Sequence, residues 1–135
     1  MRIFLDANLL IYMNASSEDS RRIYDDFYTE LASTNRLFTN VLVLDELLYI
    51  SKKKYNVPYS VTVEFNENVV LPFTELLQVG LPEYLASAEI VLKTRLKPSD
   101  ALHVASMRLN GISTVASEDR EFDNTVDLNR VWVPS

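Results

Sequence analysis

The sequence predicts an α/β protein with three layers, in which helices cover both faces of a central parallel sheet. The first observation is that short apolar runs, rich in β-branched residues, alternate with longer runs of helical periodicity along the 135 residues. The second is the turn signal Asn110-Gly111, which precedes a buried-strand pattern at residues 112–116. Strands that alternate with helices pair in parallel through right-handed crossovers. We assign residues 1–135 to a single domain of this kind.

The first part of the chain supplies two predicted strands with helices between them. Residues 2–5 are an apolar strand that ends at Asp6, and a helix is expected to start directly after it. A second helix, with apolar residues four apart, is expected to end at about residue 33. Residues 37–39 are then a second short strand. Asp6 therefore lies at the carboxyl end of the first strand.

A third helix follows, and it carries an acid in an unusual position. Asn40 is the predicted N-cap, and the helix is expected to run to about Lys54. On a helical wheel Asp45 points to solvent, whereas Glu46 lies at the border of the apolar face. A charge at that border needs a partner. Glu46 is therefore a candidate functional residue.

The middle of the chain is predicted to contain a short helix over residues 58–67 and a strand over residues 69–73. An amphipathic helix should follow Gly80-Leu81-Pro82. We expect its apolar positions to face the core. These positions are Leu85, Ala88, Val91, Leu92 and Leu96.

The last part of the chain is organised around two further acids. Pro98 interrupts the preceding helical run, and Ser99 or Asp100 is the predicted cap of a new helix. Asp119 follows the strand at 112–116, and residues 130–133 form the last predicted strand. In a parallel sheet the strand ends and the starts of the following helices share one edge.

The composition excludes several kinds of site. The chain has no cysteine, one histidine and two glycines. Disulfides, thiolate sites, a two-histidine ribonuclease and a glycine-rich phosphate loop are therefore ruled out. No apolar run approaches the ~20 residues that span a bilayer, so we expect no membrane association. The absence of cysteine makes a cytoplasmic location the expectation. A net charge of −6 argues against a passive nucleic-acid coat, although it permits a nucleic-acid enzyme.

Carboxylates are the chemistry that remains. The candidates are expected at one sheet edge, and they are Asp6, Glu46, Asp100 and Asp119, with Asp123 nearby. Two like charges ~4 Å apart repel by about 4 kcal/mol at an effective dielectric of 20. Mg²⁺ or Mn²⁺ would offset that repulsion, since both prefer oxygen ligands. Such a site can activate water for phosphodiester cleavage.

Four segments hold these acids, in an order that spans nearly the whole chain. They are Leu5-Asp6-Ala7-Asn8, Asp45-Glu46-Leu47-Leu48, Ser99-Asp100-Ala101-Leu102-His103-Val104-Ala105 and Ser117-Glu118-Asp119-Arg120-Glu121-Phe122. Together they resemble the PIN-domain ribonucleases, and most closely the VapC type of toxin–antitoxin systems. The resemblance implies a PIN-like fold and a Mg²⁺- or Mn²⁺-dependent endoribonuclease that acts on RNA. It also implies a homodimer and an antitoxin partner.

The resemblance also carries roles over to particular residues. It implies that the four acids Asp6, Glu46, Asp100 and Asp119 are catalytic and bind metal. Asp123 stands where some members have a further acid. Ser117 matches a hydroxyl residue that supports the fourth acid, and Asn8 matches a polar residue near the first.

Other interpretations stay open at this point. His103 is either a packing residue, which is the commoner role of a lone histidine, or a residue that orients Asp100 or contacts a phosphate. The chain could be a housekeeping RNA-processing nuclease, or a non-catalytic domain that binds RNA or protein with Mg²⁺. A phosphatase with Asp6 as nucleophile is disfavoured, because Asn8 stands where that chemistry wants a second aspartate.

Overall fold

Five parallel strands form one sheet at the centre of the molecule, as the sequence predicts. The computed structural model describes residues 1–133, and the strand predicted over residues 130–133 is found at Asn129–Val131. The strands are β1 Arg2–Leu5, β2 Arg36–Asn40, β3 Thr74–Leu77, β4 Thr114–Ala116 and β5 Asn129–Val131. The helices are α1 Ala7–Ala15, α2 Glu18–Thr34, α3 Val41–Tyr55, α4 Tyr59–Phe65, α5 Leu81–Lys93 and α6 Pro98–Leu109.

The strand order places a crevice at the centre of the sheet. The order is β3-β2-β1-β4-β5, and every neighbouring pair is parallel. The chain therefore builds outward from β1 to β3 and then returns to the other side of β1. Ligands of open α/β sheets bind outside the carboxyl ends of the strands at such a reversal. Here that point lies between the ends of β1 and β4.

The core explains why the first helix gives no clear amphipathic pattern. Phe4 on β1 and Phe38 on β2 are fully buried, and so are Leu9 and Leu10 on α1. Most of α1 is buried, so its residues are apolar on more than one side. This helix starts one residue after β1, which holds Asp6 rigidly at the sheet edge.

The prediction of a strand over residues 69–73 is wrong. Residues Asn66–Val70 form a π-helical turn and Leu71–Phe73 a short 3-10 helix, and β3 begins only at Thr74. In this helical turn Val70 is fully buried, and Tyr28 donates a hydrogen bond to the carbonyl of Val69 at 2.6 Å. These two contacts stabilise the helical turn over a strand. The strand itself is mostly exposed at the sheet edge, so it lacks a buried-strand pattern.

Two helix predictions are also corrected. The N-cap of α6 is Lys97, with Pro98 as the first helical residue and no side-chain cap, so Asp100 is free to face the sheet edge. On α5 the buried residues are Ser87 and Ile90. Leu85 and Leu92 are 58% and 87% exposed, because the face that packs on α6 is the opposite one.

Other expectations hold in detail. Asn40 caps α3, since its Oδ1 accepts a hydrogen bond from the amide of Val43 at 3.1 Å. Asp45 is exposed on α3, as the helical wheel predicts. Gly111 has φ of 68° and ends α6. Among residues 1–133, no helix has both the length and the apolar character that crossing a membrane requires.

The turn after α6 gives a test of this backbone. A Cβ at Gly111 would approach only the side chain of Arg2, at an ordinary 3.7 Å, so the cost of Gly111→Ala comes from its positive φ. We expect a loss of about 1 kcal/mol in the free energy of unfolding, measured by urea denaturation. Gly111→Asn is the matched control, because asparagine tolerates a positive φ better than alanine does at the same position. Equal effects of the two substitutions would contradict this account.

Candidate functional site

Asp6 is held at the carboxyl end of β1 by hydrogen bonds to both of its oxygens. Its Oδ1 accepts from the amide of Ala7 at 2.8 Å, which caps α1, and its Oδ2 accepts from Ser117 Oγ at 2.7 Å. Asp6 is only 6% exposed. Because Ser117 directly follows β4, this contact joins the ends of the two central strands. The carboxylate of Asp6 therefore has a defined place at the crevice.

Ser117 and Asn8 connect this carboxylate to Asp119, the last of the four predicted acids. Ser117 Oγ accepts hydrogen bonds from the amide of Asp119 at 3.0 Å and from Asn8 Nδ2 at 3.2 Å. Asn8 Oδ1 in turn accepts from the amide of Glu118 at 3.4 Å. A single hydroxyl thus contacts the first acid, the backbone of the fourth acid and the polar residue near the first.

Four acids approach one another at this edge, in two overlapping groups. Potential ligand atoms of Asp6, Asp100 and His103 lie within 4.8 Å of one another, and so do those of Asp100, Asp119 and Glu121. Asp100 belongs to both groups and is 9% exposed. The first turn of α6 and the segment after β4 therefore bring their acids to the same place as Asp6.

Negative charge predominates at this edge of the sheet. Burial, followed by the negative charges of Asp6 and Asp119, raises the pKa of Asp100 to about 7. Desolvation, and then the charge of Asp6, raises the pKa of Glu46 as well. Lys97 opposes both shifts but is too weak to cancel them. Binding of a cation, or protonation of one of these carboxylates, is therefore electrostatically favourable at this edge.

Not all of the acids predicted from the sequence come equally close to one another. Glu46 is an exposed residue of α3 that belongs to neither group of ligand atoms, although it is near enough to Asp6 for their charges to interact. Asp123 forms a two-point ion pair with Arg130, at 2.9 and 3.2 Å, which lowers the pKa of Asp123. The structure therefore brings together Asp6, Asp100 and Asp119, with Glu46 beside them and Asp123 engaged elsewhere.

Sequence reasoning missed Glu121 as a member of the site. It lies in the 3-10 helix Arg120–Asn124, whose N-cap is Asp119, and its amide donates to Asp119 Oδ1 at 2.9 Å. This tight turn directs the carboxylate of Glu121 back toward Asp100. The only signal in the sequence was an acid two residues after Asp119, within a run of several exposed acids.

The donor set suits a hard divalent cation. Asp6, Asp100, Asp119 and Glu121 offer carboxylate oxygens, which are the ligands that Mg²⁺ and Mn²⁺ prefer. Burial and then the charges of Asp6 and Asp119 raise the pKa of Asp100, and a bound cation would oppose this shift. These residues therefore fit a metal of that class.

Comparison with known proteins shows the class to which this fold and site belong. A family model for the PIN domain matches residues 3–128. The chain belongs to the PIN domain family. A search of curated proteins found no match.

Solved structures extend this likeness to the VapC toxins. VapBC2 from Rickettsia felis, bound to a DNA fragment from its promoter, has a TM-score of 0.74 and 18% identity, over 99% of this chain and 100% of that chain. VapC20 from Mycobacterium tuberculosis, a toxin that cleaves the sarcin–ricin loop, has a TM-score of 0.76 and 14% identity, over 92% and 95%. FitAcB from Neisseria gonorrhoeae has a TM-score of 0.68 and 18% identity, over 95% of each chain. At these identities the likeness establishes the fold.

The charge repulsion at Asp100 predicts a dependence of stability on pH. Because the pKa of Asp100 is raised in the folded state, its proton favours folding, and this contribution disappears as pH rises from about 4 through 7. In EDTA, we expect Asp100→Asn to melt higher than the wild type at pH 8, by a margin that narrows as the pH falls to 5. The expected gap is on the order of 5 °C by circular dichroism, after allowance for solvent screening.

The comparison isolates Asp100 from other titrating groups. His103 is buried, which lowers its pKa and gives a pH dependence of the opposite sign, but both proteins contain it. A difference in Tm that stays constant from pH 5 to pH 8 would contradict the proposed repulsion.

Proposed function

We propose that this protein is an endoribonuclease that requires Mg²⁺ or Mn²⁺. The observation that carries the proposal is the convergence of Asp6, Asp100 and Asp119, which are far apart in the chain, at the carboxyl edge of the sheet. Membership of the PIN domain family and the likeness to a toxin that cleaves the sarcin–ricin loop support RNA as the substrate. The excess of negative charge around Asp100 is the reason that a divalent metal belongs to the proposed reaction.

In this proposal each residue has a defined task. Asp6, Asp100 and Asp119 hold the cation, with Glu46 and Glu121 beside them. Ser117 and Asn8 keep the first and fourth acids in register through the hydrogen bonds to Ser117 Oγ. The bound cation would supply an activated water as nucleophile and would stabilise the leaving oxygen of the phosphodiester. The ion pair of Asp123 with Arg130 suggests that Asp123 supports the fold near the site.

We also propose that the enzyme is the toxin of a toxin–antitoxin pair. Its support is the similarity, over nearly the whole chain, to proteins solved as VapBC complexes and as a toxin–antitoxin complex from Klebsiella pneumoniae. Co-expression with the product of a short reading frame beside the gene should suppress its activity. A cytoplasmic location, which the lack of cysteine indicated, stays part of this proposal.

A homodimer is the proposed assembly. The outer face of α5 exposes several large apolar side chains, of which Leu92 is 87% exposed, and soluble monomers rarely expose a contiguous apolar surface. The other members of this face are Leu81, Tyr84 and Leu85.

The first prediction from the proposed function concerns activity on RNA. We expect the purified protein to cleave RNA in Mg²⁺ or Mn²⁺, and EDTA to abolish the cleavage. Asp100→Asn should lower the rate at least 100-fold, because it removes a charge shared by both groups of ligand atoms. Gel analysis of labelled RNA measures both effects. Cleavage that survives EDTA and Asp100→Asn would refute the nuclease mechanism, and hydrolysis of a small phosphate ester with RNA left intact would favour a phosphatase.

A second prediction separates neighbouring acids on α3. Glu46→Gln should lower the rate of RNA cleavage about tenfold or more, because the Glu46 carboxylate is within electrostatic range of Asp6. Asp45→Asn is the matched control, since it removes the same charge from an exposed residue that points away. It should leave the rate within about twofold. Equal losses in the two variants would remove Glu46 from the site.

A third prediction addresses the dimer. We expect the protein to sediment as a dimer and Leu92→Asp to shift it to a monomer, because a charge would be buried in the apolar contact. Ile23→Asp on α2 is the control, since Ile23 is also exposed, at 45%, but lies outside this face. A wild-type protein that is monomeric at tens of micromolar would contradict the assembly.

A further inference from the structure

His103 is a buried polar residue that the proposed reaction does not use. It is the only histidine in the chain and is 2% exposed. It lies on α6 one turn after Asp100, and its ring packs against Phe4 with centroids 5.2 Å apart. One of its ring nitrogens approaches Asp6 and the other approaches Asn40. Its place between these two residues determines which nitrogen carries a proton.

The orientation of Asn40 is set from outside this contact. Asn40 Oδ1 accepts a hydrogen bond from the backbone amide of Val43 at 3.1 Å, as the N-cap of α3. A backbone amide can only donate, so the amide group of Asn40 must present its Oδ1 to α3. Its Nδ2 is then the atom that lies 3.2 Å from His103 Nδ1. Because Nδ2 has no lone pair to offer, His103 Nδ1 must be the acceptor.

This assignment places the proton on the opposite nitrogen. When Nδ1 of a histidine accepts a hydrogen bond, the ring is neutral and its hydrogen is on Nε2. Burial, which lowers the pKa of His103, agrees with a neutral ring. His103 Nε2 lies 3.9 Å from Asp6 Oδ1. An N–H group therefore faces the carboxylate, and Nε2 has no free lone pair with which to bind a metal.

We propose that His103 is a positioning residue whose Nε2–H orients the carboxylate of Asp6, and that Asn40 selects this tautomer. The proposal rests on the proposed function in that Asp6 is taken as a metal ligand. Two hydrogen-bond donors, the amide of Ala7 and Ser117 Oγ, then hold Asp6, and the N–H group of His103 Nε2 lies farther from it. The distance of 3.9 Å is longer than a hydrogen bond, so the contribution of His103 is electrostatic.

The contacts of His103 with Asp6 and Asn40 link Asp6 to the helices that carry Glu46 and Asp100. Asn40 caps the helix that carries Glu46, and His103 lies on the helix that carries Asp100. The Asn40–His103 hydrogen bond is buried, so it aligns the starts of these two helices below the carboxylates. Groups that orient metal ligands in this way typically change metal affinity by 10–100-fold when they are removed.

The first experiment reads the tautomer directly. Because the chain has one histidine, two-bond ¹H–¹⁵N correlation spectra of the metal-free protein show a single imidazole. We expect Nδ1 to give the shift of an unprotonated nitrogen and Nε2 that of a protonated one. A protonated Nδ1, or protons on both nitrogens at neutral pH, would overturn the proposal.

The second experiment removes the donor to Nδ1 while keeping the helix cap. In Asn40→Ser, the hydroxyl can still cap α3 but is too short to hold His103 Nδ1 as a hydrogen-bond acceptor. We expect Mn²⁺ to bind about tenfold more weakly, measured by calorimetry, and the tautomer protonated on Nδ1 to become detectable in the imidazole shifts. Asn129→Ser is the matched control, because it makes the same replacement at an exposed residue of β5. Unchanged Mn²⁺ affinity in Asn40→Ser would overturn the proposal.

A third variant tests the N–H group itself. His103→Gln retains a donor that can face Asp6 and should bind Mn²⁺ within about threefold of the wild type. His103→Leu has no donor and should lose about tenfold. Equal losses in the two would show that His103 only fills space. These readouts do not depend on RNA cleavage, so the expected tautomer in a protein that binds Mn²⁺ but leaves RNA intact would refute only the proposed function.

Discussion

The hydrogen bond between Ser117 Oγ and Asp6 Oδ2 is the contact on which this site depends. It joins the carboxyl ends of β1 and β4, the two strands between which the order of the sheet reverses. The amide of Asp119 donates to the same hydroxyl, so the first and fourth acids share one anchor. Asp100 then approaches from the first turn of α6. The parallel sheet supplies the edge, and this small polar network determines where on the edge the acids lie.

The arrangement is costly for the fold and useful for the site. Burial and neighbouring carboxylates raise the pKa of Asp100, and desolvation and the charge of Asp6 raise that of Glu46, so both effects oppose folding with these groups charged. Phe4 is fully buried and packs against the ring of His103, and the buried Asn40–His103 hydrogen bond links α3 to α6. A site that stores unbalanced negative charge is prepared for a divalent cation.

The fold was predictable because its signals are local. Short apolar strands, the Asn40 cap and the positive-φ Gly111 each reflect interactions within a few residues. The errors also have local causes. The run at residues 69–73 looks like a buried strand because it is apolar, yet its burial serves a π-helical turn, while the true edge strand is polar. On α5 the helical spacing was correct, but two apolar stripes were present and the pattern could not say which one faces the core.

The chemistry of this protein is visible in its amino-acid composition and order: abundant carboxylate without cysteine, a single histidine, and acids at strand ends and helix starts. Which of these acids meet depends on the packing of the folded chain. It separated Asp123, held by Arg130, from Asp100 and Asp119, and it brought in Glu121 through a tight turn. It also placed His103 Nδ1 against the side-chain amide of Asn40, more than sixty residues away in the chain. Strand and helix signals act over a few residues, whereas distances between side chains depend on how remote segments pack.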